Sequence, residues 1–230
     1  MDKDKTMIVS LLLPSYKRPD LLDIGLSTLV KQSFIFDLEI IVVNDGVRDD
    51  TLKVCQFYEE NHGLDIKYIF SGHRNLDGVM KKRVPGFALN IGIKKAEGNI
   101  VILSCPEIYH LNNTLQIMME ELVKNPDAMV IPELMYFDQI GTMTEKLKLD
   151  VNTPIDYKLL SQDDDYNRAH VQMPYMMGMY KHHLLEIGAY DEDFLGHAGE
   201  DNDLIDRLKL YSKVAQWHYQ NKDKIIEEIK

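Results

Sequence analysis

The chain has 230 residues, 45% apolar and 27% charged, an ordinary globular composition that excludes a disordered chain and a fibrous repeat. At about 150 residues per domain it holds one or two domains, with enough chain to bury a core without staples. The 26 Lys and Arg against 37 Asp and Glu leave a net charge of −11, which argues against nucleic acid as a partner; two cysteines with no Cys-x-x-Cys exclude a disulfide framework and a structural zinc site.

The apolar run Met7–Leu13 is too short for a signal core or a spanning helix, so the expected location is cytoplasmic. It suits a strand buried on both faces. Asp20–Gln32 has apolar residues near helical spacing. Leu38–Val43 is a second strand, closed by the turn Asn44-Asp45-Gly46. Asp50–Asn61 is a helix with Gly63 as its C-terminal cap, and Ile66–Phe70 is a third strand. Pro85–Ala96 is a helix with Pro in its first turn, followed by a strand at Asn99–Ser104, a helix at Asn113–Lys124 and a strand at Ala128–Leu134. Gly141–Ala169 is polar and irregular. Order returns at Pro174–Tyr180, then short helix His182–Ile187, helix Glu200–Leu210, a last strand Lys213–Tyr219 and a helical tail Asp223–Ile229.

Strand, helix, strand, helix in this order implies crossovers, hence an α/β fold with a mostly parallel sheet covered on both faces. Ligands of such sheets sit beyond the carboxyl ends of the strands. That rule selects the loops Pro14–Pro19, Asn44–Asp50 and Ser104–His110, with the long polar loop Ser71–Arg83 beside them. The first loop offers Ser15 and Tyr16, a hydroxyl and an aromatic ring on which a flat base can stack. The second offers the Asp45 carboxylate, which can accept an N–H from a base such as uracil. Each loop alone is equally compatible with ordinary turn chemistry.

In combination these segments resemble family 2 glycosyltransferases of the GT-A nucleotide-diphospho-sugar fold. The family's opening is similar to Pro14-Ser15-Tyr16-Lys17-Arg18 here, with Lys17 for Asn, and to Glu39-Ile40-Ile41-Val42-Val43-Asn44-Asp45-Gly46, with Asn44 for the first Asp. Ala88-Leu89-Asn90-x-Gly92 resembles an Ala-Arg-Asn-x-Gly segment, with Leu89 for Arg. Gly188-Ala189-Tyr190-Asp191-Glu192-Asp193-Phe194 and Ala198-Gly199-Glu200-Asp201-Asn202-Asp203-Leu204, with Arg207-Leu208, resemble an acceptor-side block also found in galactosyltransferases. Its pattern is Gly-Gly-Phe-Asp-Glu-x-Phe and Gly-Gly-Glu-Asp-x-Asp-Leu.

The resemblance implies one GT-A domain, residues 1–110 forming the nucleotide-binding half and 111–230 the acceptor-binding half. It implies a hexosyl-type transferase moving a sugar from a nucleotide-sugar donor, UDP-linked by family frequency, to a saccharide or glycolipid hydroxyl, peripheral at a membrane. Pro14, Ser15, Tyr16, Arg18 and Asp45 are the expected donor-site residues, with Arg83 near the phosphates in place of the missing Arg. Where the family carries Asp-x-Asp for a divalent metal, this chain has Ser104-Cys105-Pro106-Glu107. Glu107 is the expected ligand and the late His218 a second, a mixed set that suits Mn²⁺ somewhat better than Mg²⁺. His110, three residues on from Glu107, reads as a hydrogen-bonded surface group.

Asp201 is the expected general base of an inverting reaction and Glu200 the residue that orients the acceptor. Carboxylates in a first helical turn are favoured by the macrodipole, which tends to keep them ionised. The alternative for this pair is helix capping. A calcium loop starting at Asp191 fails, since its twelfth position is Asn202 rather than Glu. Two other functions stay open. A non-catalytic or metal-independent nucleotide-sugar binding protein is suggested by the missing Asp-x-Asp. A nucleotidyltransferase is disfavoured because Pro14–Pro19 contains no Gly.

Overall fold

The computed structural model describes residues 7–73, 84–110, 113–132, 135–137, 166–168, 175–194 and 199–211. The expected strand Lys213–Tyr219 and the helical tail lie outside them, as does most of Gly141–Ala169. Strand β1 (Ile8–Ser15), helix α1 (Pro19–Leu29), β2 (Asp37–Gly46), α2 (Thr51–His62), β3 (Asp65–His73), α3 (Gly86–Lys95), β4 (Ile100–Ser104) and α4 (Thr114–Lys124) alternate along the first half. A short hairpin of β5 (Met135–Phe137) and β6 (Tyr166–Arg168) precedes β7 (Met176–Tyr180), α5 (Lys181–Glu186) and α6 (Glu200–Leu210).

The central sheet has the order β3-β2-β1-β4-β7. Its first four strands are parallel, and β7 joins antiparallel to β4. The uninterrupted apolar runs are explained by burial on both faces. On one face Val9, Leu11 and Leu13 of β1, Ile40 and Val42 of β2 and Ile100 and Ile102 of β4 meet the apolar stripes of α1, α2 and α4. On the other face Leu12, Ile41, Val43, Val101 and Leu103 meet Ala88, Leu89 and Ile93 of α3 and Leu204 and Leu208 of α6. The period-two alternation of a strand thus feeds two separate cores.

The expected strand at 128–134 is not formed in its described part. Val130 makes an isolated antiparallel bridge to Gly178, with both backbone bonds at 2.8 Å, and no ladder follows. Pro132 has no N–H with which to extend one.

Chain order reverses direction across the sheet between β1 and β4, since β2 and β3 lie on one side of β1 and β4 on the other. In open α/β sheets this switch point opens a crevice beyond the carboxyl ends. The ends of β1 and β4 therefore frame the site. The α1 helix passes so close beneath the β4–α4 connection that a Cβ on Gly25 would lie 2.5 Å from the Pro106 carbonyl oxygen. Glycine at 25 is what lets that connection reach the crevice.

Candidate active site

The loop after β1 is half-buried at Pro14 and Tyr16, buried at Ser15 and exposed at Arg18. Ser15 Oγ lies 3.2 Å from Thr51 Oγ1, which ties the end of β1 to the start of α2. Lys17 has φ +54°, on the left-handed side where non-glycine residues are costly and Asn is better tolerated. Beside this loop the β2–β3 ladder is irregular between Asn44 and Gly46. A bulge of this kind re-aims a side chain. Asp45 is buried there, its Oδ1 accepting a 2.8 Å hydrogen bond from Ser71 Oγ. Ser71 Oγ in turn accepts the Gly46 N–H at 3.0 Å. Asn44 donates to Asp49 Oδ1 at 2.8 Å, and the same oxygen takes the Thr51 N–H at 3.0 Å. The asparagine at 44, where the family pattern has Asp, thus supplies a donor to the Asp49 carboxylate.

At the end of β4, Glu107 Oε1 accepts Arg18 Nη1 at 2.6 Å, which bridges the two sides of the crevice. Its other oxygen, Oε2, is buried without a hydrogen-bond partner. A single hard oxygen of this kind fits a divalent cation whose remaining ligands are diphosphate oxygens and water. No group of three or more His, Cys, Asp or Glu side chains gathers as a metal cage among the described residues. Arg83 and His218 lie outside the described residues. His110 differs from expectation: it is buried, not a surface group. Its N–H donates to Thr28 Oγ1 and its carbonyl accepts from Gln32 Nε2, which packs it onto the last turn of α1. Leu89, where the pattern has Arg, is an interior residue of the second core.

Gly199 precedes helix α6, and its φ of +127° and closeness to the Phe194 ring (3.1 Å from a built Cβ) would strain any other residue there. Glu200 is buried and Asp201 half-buried in its first turn. Asp201 Oδ1 accepts a 2.9 Å hydrogen bond from the Tyr190 hydroxyl. Burial raises the Asp201 carboxyl above its ordinary range, with the Tyr190 hydrogen bond pulling the other way. Burial thus works against the helix terminus, which favours the ionised carboxylate. Burial, Asp201, Cys105 and Glu200 together push the Tyr190 phenol well above its usual value, so it stays a neutral donor. The Cys105 thiol connects this helix to the crevice. Burial pushes it up to about 12, the Glu107 and Asp201 carboxylates add to the rise, and Arg18 opposes it. Asp201 therefore stands within electrostatic reach of the same strand end as Arg18 and Glu107.

Other motif residues build the frame. Glu39 is buried and accepts hydrogen bonds from Ser10 Oγ and the N–H groups of Glu97 and Gly98, so it fastens the α3–β4 turn to the sheet. Asn90 clamps Tyr190 with both edges of its amide, donating to the Tyr190 carbonyl at 2.8 Å and accepting its N–H at 2.9 Å. Arg207 donates to Asp203 and to the carbonyls of Ile187 and Ala189, holding the same connection from the other side. The Tyr190–Asp201, Ser71–Asp45 and Arg18–Glu107 partnerships were not anticipated from sequence. One signal was available for the first: Tyr190 stands where the pattern has Phe. A cavity of about 710 Å³ lies along α3 and α6 with Asn90, Lys94, Ile187 and Arg207 in its walls. None of Pro14–Arg18, Asp45, Glu107 or Asp201 lines it; the candidate site is the crevice that the switch point opens at the strand ends.

Comparisons with known proteins agree with this fold. The family model described as glycosyl transferase family 2 matches residues 10–188. The chain is 25% identical over 240 residues to the chondroitin synthase of Pasteurella multocida (strain Pm70), covering 89% of this chain and 23% of that protein. It is 27% identical over 236 residues to the validoxylamine A glucosyltransferase of Streptomyces hygroscopicus subsp. jinggangensis (strain 5008), covering 89% and 52%. The chain thus spans from about a quarter to about half of these relatives. Among solved structures it is similar to the mannosyltransferase PcManGT from Pyrobaculum calidifontis in complex with GDP-Man and Mn²⁺, with a TM-score of 0.61, 16% identity and coverage of 90% and 53%. It is also similar to S. aureus TarS 1-349 in complex with UDP-GlcNAc, with a TM-score of 0.61, 18% identity and coverage of 90% and 55%. No helix among the described residues is long and apolar enough to cross a membrane. A mostly parallel sheet with its switch point between β1 and β4, a family match over 10–188 and the likeness to these solved structures lead to one conclusion: the chain belongs to glycosyl transferase family 2, with the GT-A fold.

Proposed function

We propose that the chain transfers a sugar from a nucleoside diphosphate donor to a hydroxyl of a saccharide or glycolipid acceptor. The observation that carries this reading is the position of Asp201, at the start of α6 and within electrostatic reach of Cys105 at the end of β4. Donor and base are then on facing walls of one crevice. Pro14, Ser15 and Tyr16 form the wall against which the base stacks, and Asp45, held by Ser71, accepts its N–H. UDP is the proposed nucleotide, supported by the resemblance of the Asp45 loop and by the likeness to TarS, whose structure holds UDP-GlcNAc. Arg18 and Arg83 are the proposed cations for the diphosphate.

Asp201 takes the proton of the acceptor hydroxyl. The freed oxygen attacks the anomeric carbon while the bond to the diphosphate oxygen breaks, with inversion in one step. A base works best when its pKa lies close to the working pH, which is the direction in which burial moves Asp201. Glu200, in the same turn, is proposed to orient the acceptor. Glu107, with His218 as second candidate, would hold Mn²⁺ or Mg²⁺, which supplies neutralising charge to the departing diphosphate when bound. Chondroitin synthase and validoxylamine A glucosyltransferase as relatives favour a polysaccharide or glycoside product over other acceptors.

A second reading is metal-independent transfer, favoured by the Arg18–Glu107 ion pair, which already places a cation at the strand end. The test is product release from UDP-glucose, UDP-N-acetylglucosamine and UDP-glucuronate with saccharide acceptors, in Mn²⁺ and in EDTA. Turnover in Mn²⁺ that Asp201→Asn lowers by about 10²–10⁴-fold supports the proposal. Equal turnover in EDTA selects the second reading. UDP binding without turnover of any donor would leave a binding protein instead.

A further inference from the structure

Tyr190 is more tightly fixed than a wall residue needs to be. Its backbone N–H and carbonyl are both bonded by Asn90 of α3, at 2.9 and 2.8 Å. Its ring lies on Gly86, where a built Cβ would meet the ring carbons at 2.8 and 2.9 Å. Ala189 before it has φ +57°, a left-handed conformation costly for alanine, and its carbonyl is held by Arg207 at 2.7 Å. Strain persists where the surroundings over-determine a conformation, and such places cluster at functional sites. These contacts fix the residue whose phenol oxygen is 2.9 Å from Asp201 Oδ1.

We propose that Tyr190 is the positioning residue of the base: its hydroxyl donates to Asp201 Oδ1, fixes the carboxylate plane and leaves Oδ2 to take the acceptor's proton. The proposal rests on Asp201 being the base. The hydroxyl has no counterpart in the Phe of the family pattern, so this contact is a feature of this chain. Two groups act with Asp201, Tyr190 from the α5–α6 connection by its hydrogen bond and Cys105 from the end of β4, while Glu200 of the same helix turn acts on Tyr190. Glu107 and Arg18 act on Cys105 from beyond. Among these partners Tyr190 makes the hydrogen bond that favours the ionised form of Asp201. Its phenol, raised well above its ordinary value, is a fixed donor and not a proton carrier.

The test titrates the Asp201 carboxyl directly, by ¹³Cγ-aspartate NMR of the full chain with the signal assigned through Asp201→Asn. Tyr190→Phe removes the donor, and the Asp201 pKa is expected to rise by about one unit. UDP release is expected to fall about tenfold and its acidic limb to shift upward by the same amount, at unchanged UDP affinity. Replacing Tyr190 by 3-fluorotyrosine keeps the shape but strengthens the donor, so the carboxyl is expected to shift downward. This second variant decides the matter if the Phe variant folds poorly. An Asp201 titration that moves in neither variant would overturn the positioning role while leaving the base assignment intact. Full turnover in Asp201→Asn would overturn the base assignment and the positioning role with it.

Discussion

Asn90→Ala should destabilise the protein far more than the loss of a small polar side chain from a helix would. The Asn90 and Tyr190 side chains are both buried, and the Asn90 amide makes three hydrogen bonds: to the Tyr190 carbonyl at 2.8 Å, from the Tyr190 N–H at 2.9 Å and to Glu192 Oε1 at 2.9 Å. Glu192 is partly exposed and regains water when the amide is lost. The two backbone groups of Tyr190 lose a partner beside the cavity that Asn90 and Tyr190 line, and a group left unsatisfied costs about 1–3 kcal/mol. Two of them give about 3 kcal/mol, read as a lower urea midpoint at unchanged m-value. Asn90→Asp is the sharper comparison. It keeps the volume and the acceptor for the Tyr190 N–H, but sets an oxygen against the two acceptors that the amide served. It should be at least as destabilising as alanine. A loss under about 1 kcal/mol in the alanine variant, or a neutral aspartate variant, would refute the clamp.

Three further outcomes are expected. Gly25→Ala, with its Cβ 2.5 Å from the Pro106 carbonyl oxygen, must displace the β4–α4 connection; the cost is about 2 kcal/mol, or roughly 4–8 °C in Tm by calorimetry. Burial lowers the His110 imidazole to about 4 from 6.5, so the unfolded chain takes up its proton first as pH falls. Stability from this group is complete above pH 6.5 and is lost toward pH 4. Wild type should lose about 2 kcal/mol more than His110→Gln between pH 7 and pH 4.5 in urea titrations. Lys17→Asn, at φ +54°, should raise stability by about 0.5 kcal/mol or more, and a lowered midpoint would refute the strain at that position.

The sheet was legible because its strands are buried on both faces, which writes them as continuous apolar runs such as Leu11-Leu12-Leu13 and Ile40-Ile41-Val42-Val43. Gly63, with φ +66°, ends α2 as expected. The antiparallel direction of β7 was not legible, because no crossover helix in the described residues announces it after the long polar stretch. The site was legible as a set of loops and not as a set of partnerships. Arg18 meets Glu107 across 89 residues and Asn90 meets Tyr190 across 100, distances at which local patterns carry no signal. His110 was misjudged for the same reason: it is held by Thr28 of α1 and by Gln32 just after it. Asn44 shows the converse. Its departure from the pattern is readable, but its partner, Asp49, emerges only once the turn is folded.

The central claim is that a nucleoside diphosphate sits between the Asp45 loop and the end of β4, with Asp201 beside its sugar and not its base. Calorimetric titration of UDP into wild type, Asp45→Ala and Asp201→Asn tests it most directly. The account predicts affinity weakened about tenfold or more in Asp45→Ala, the loss of one buried acceptor, and unchanged in Asp201→Asn. Wild-type affinity in Asp45→Ala would contradict it.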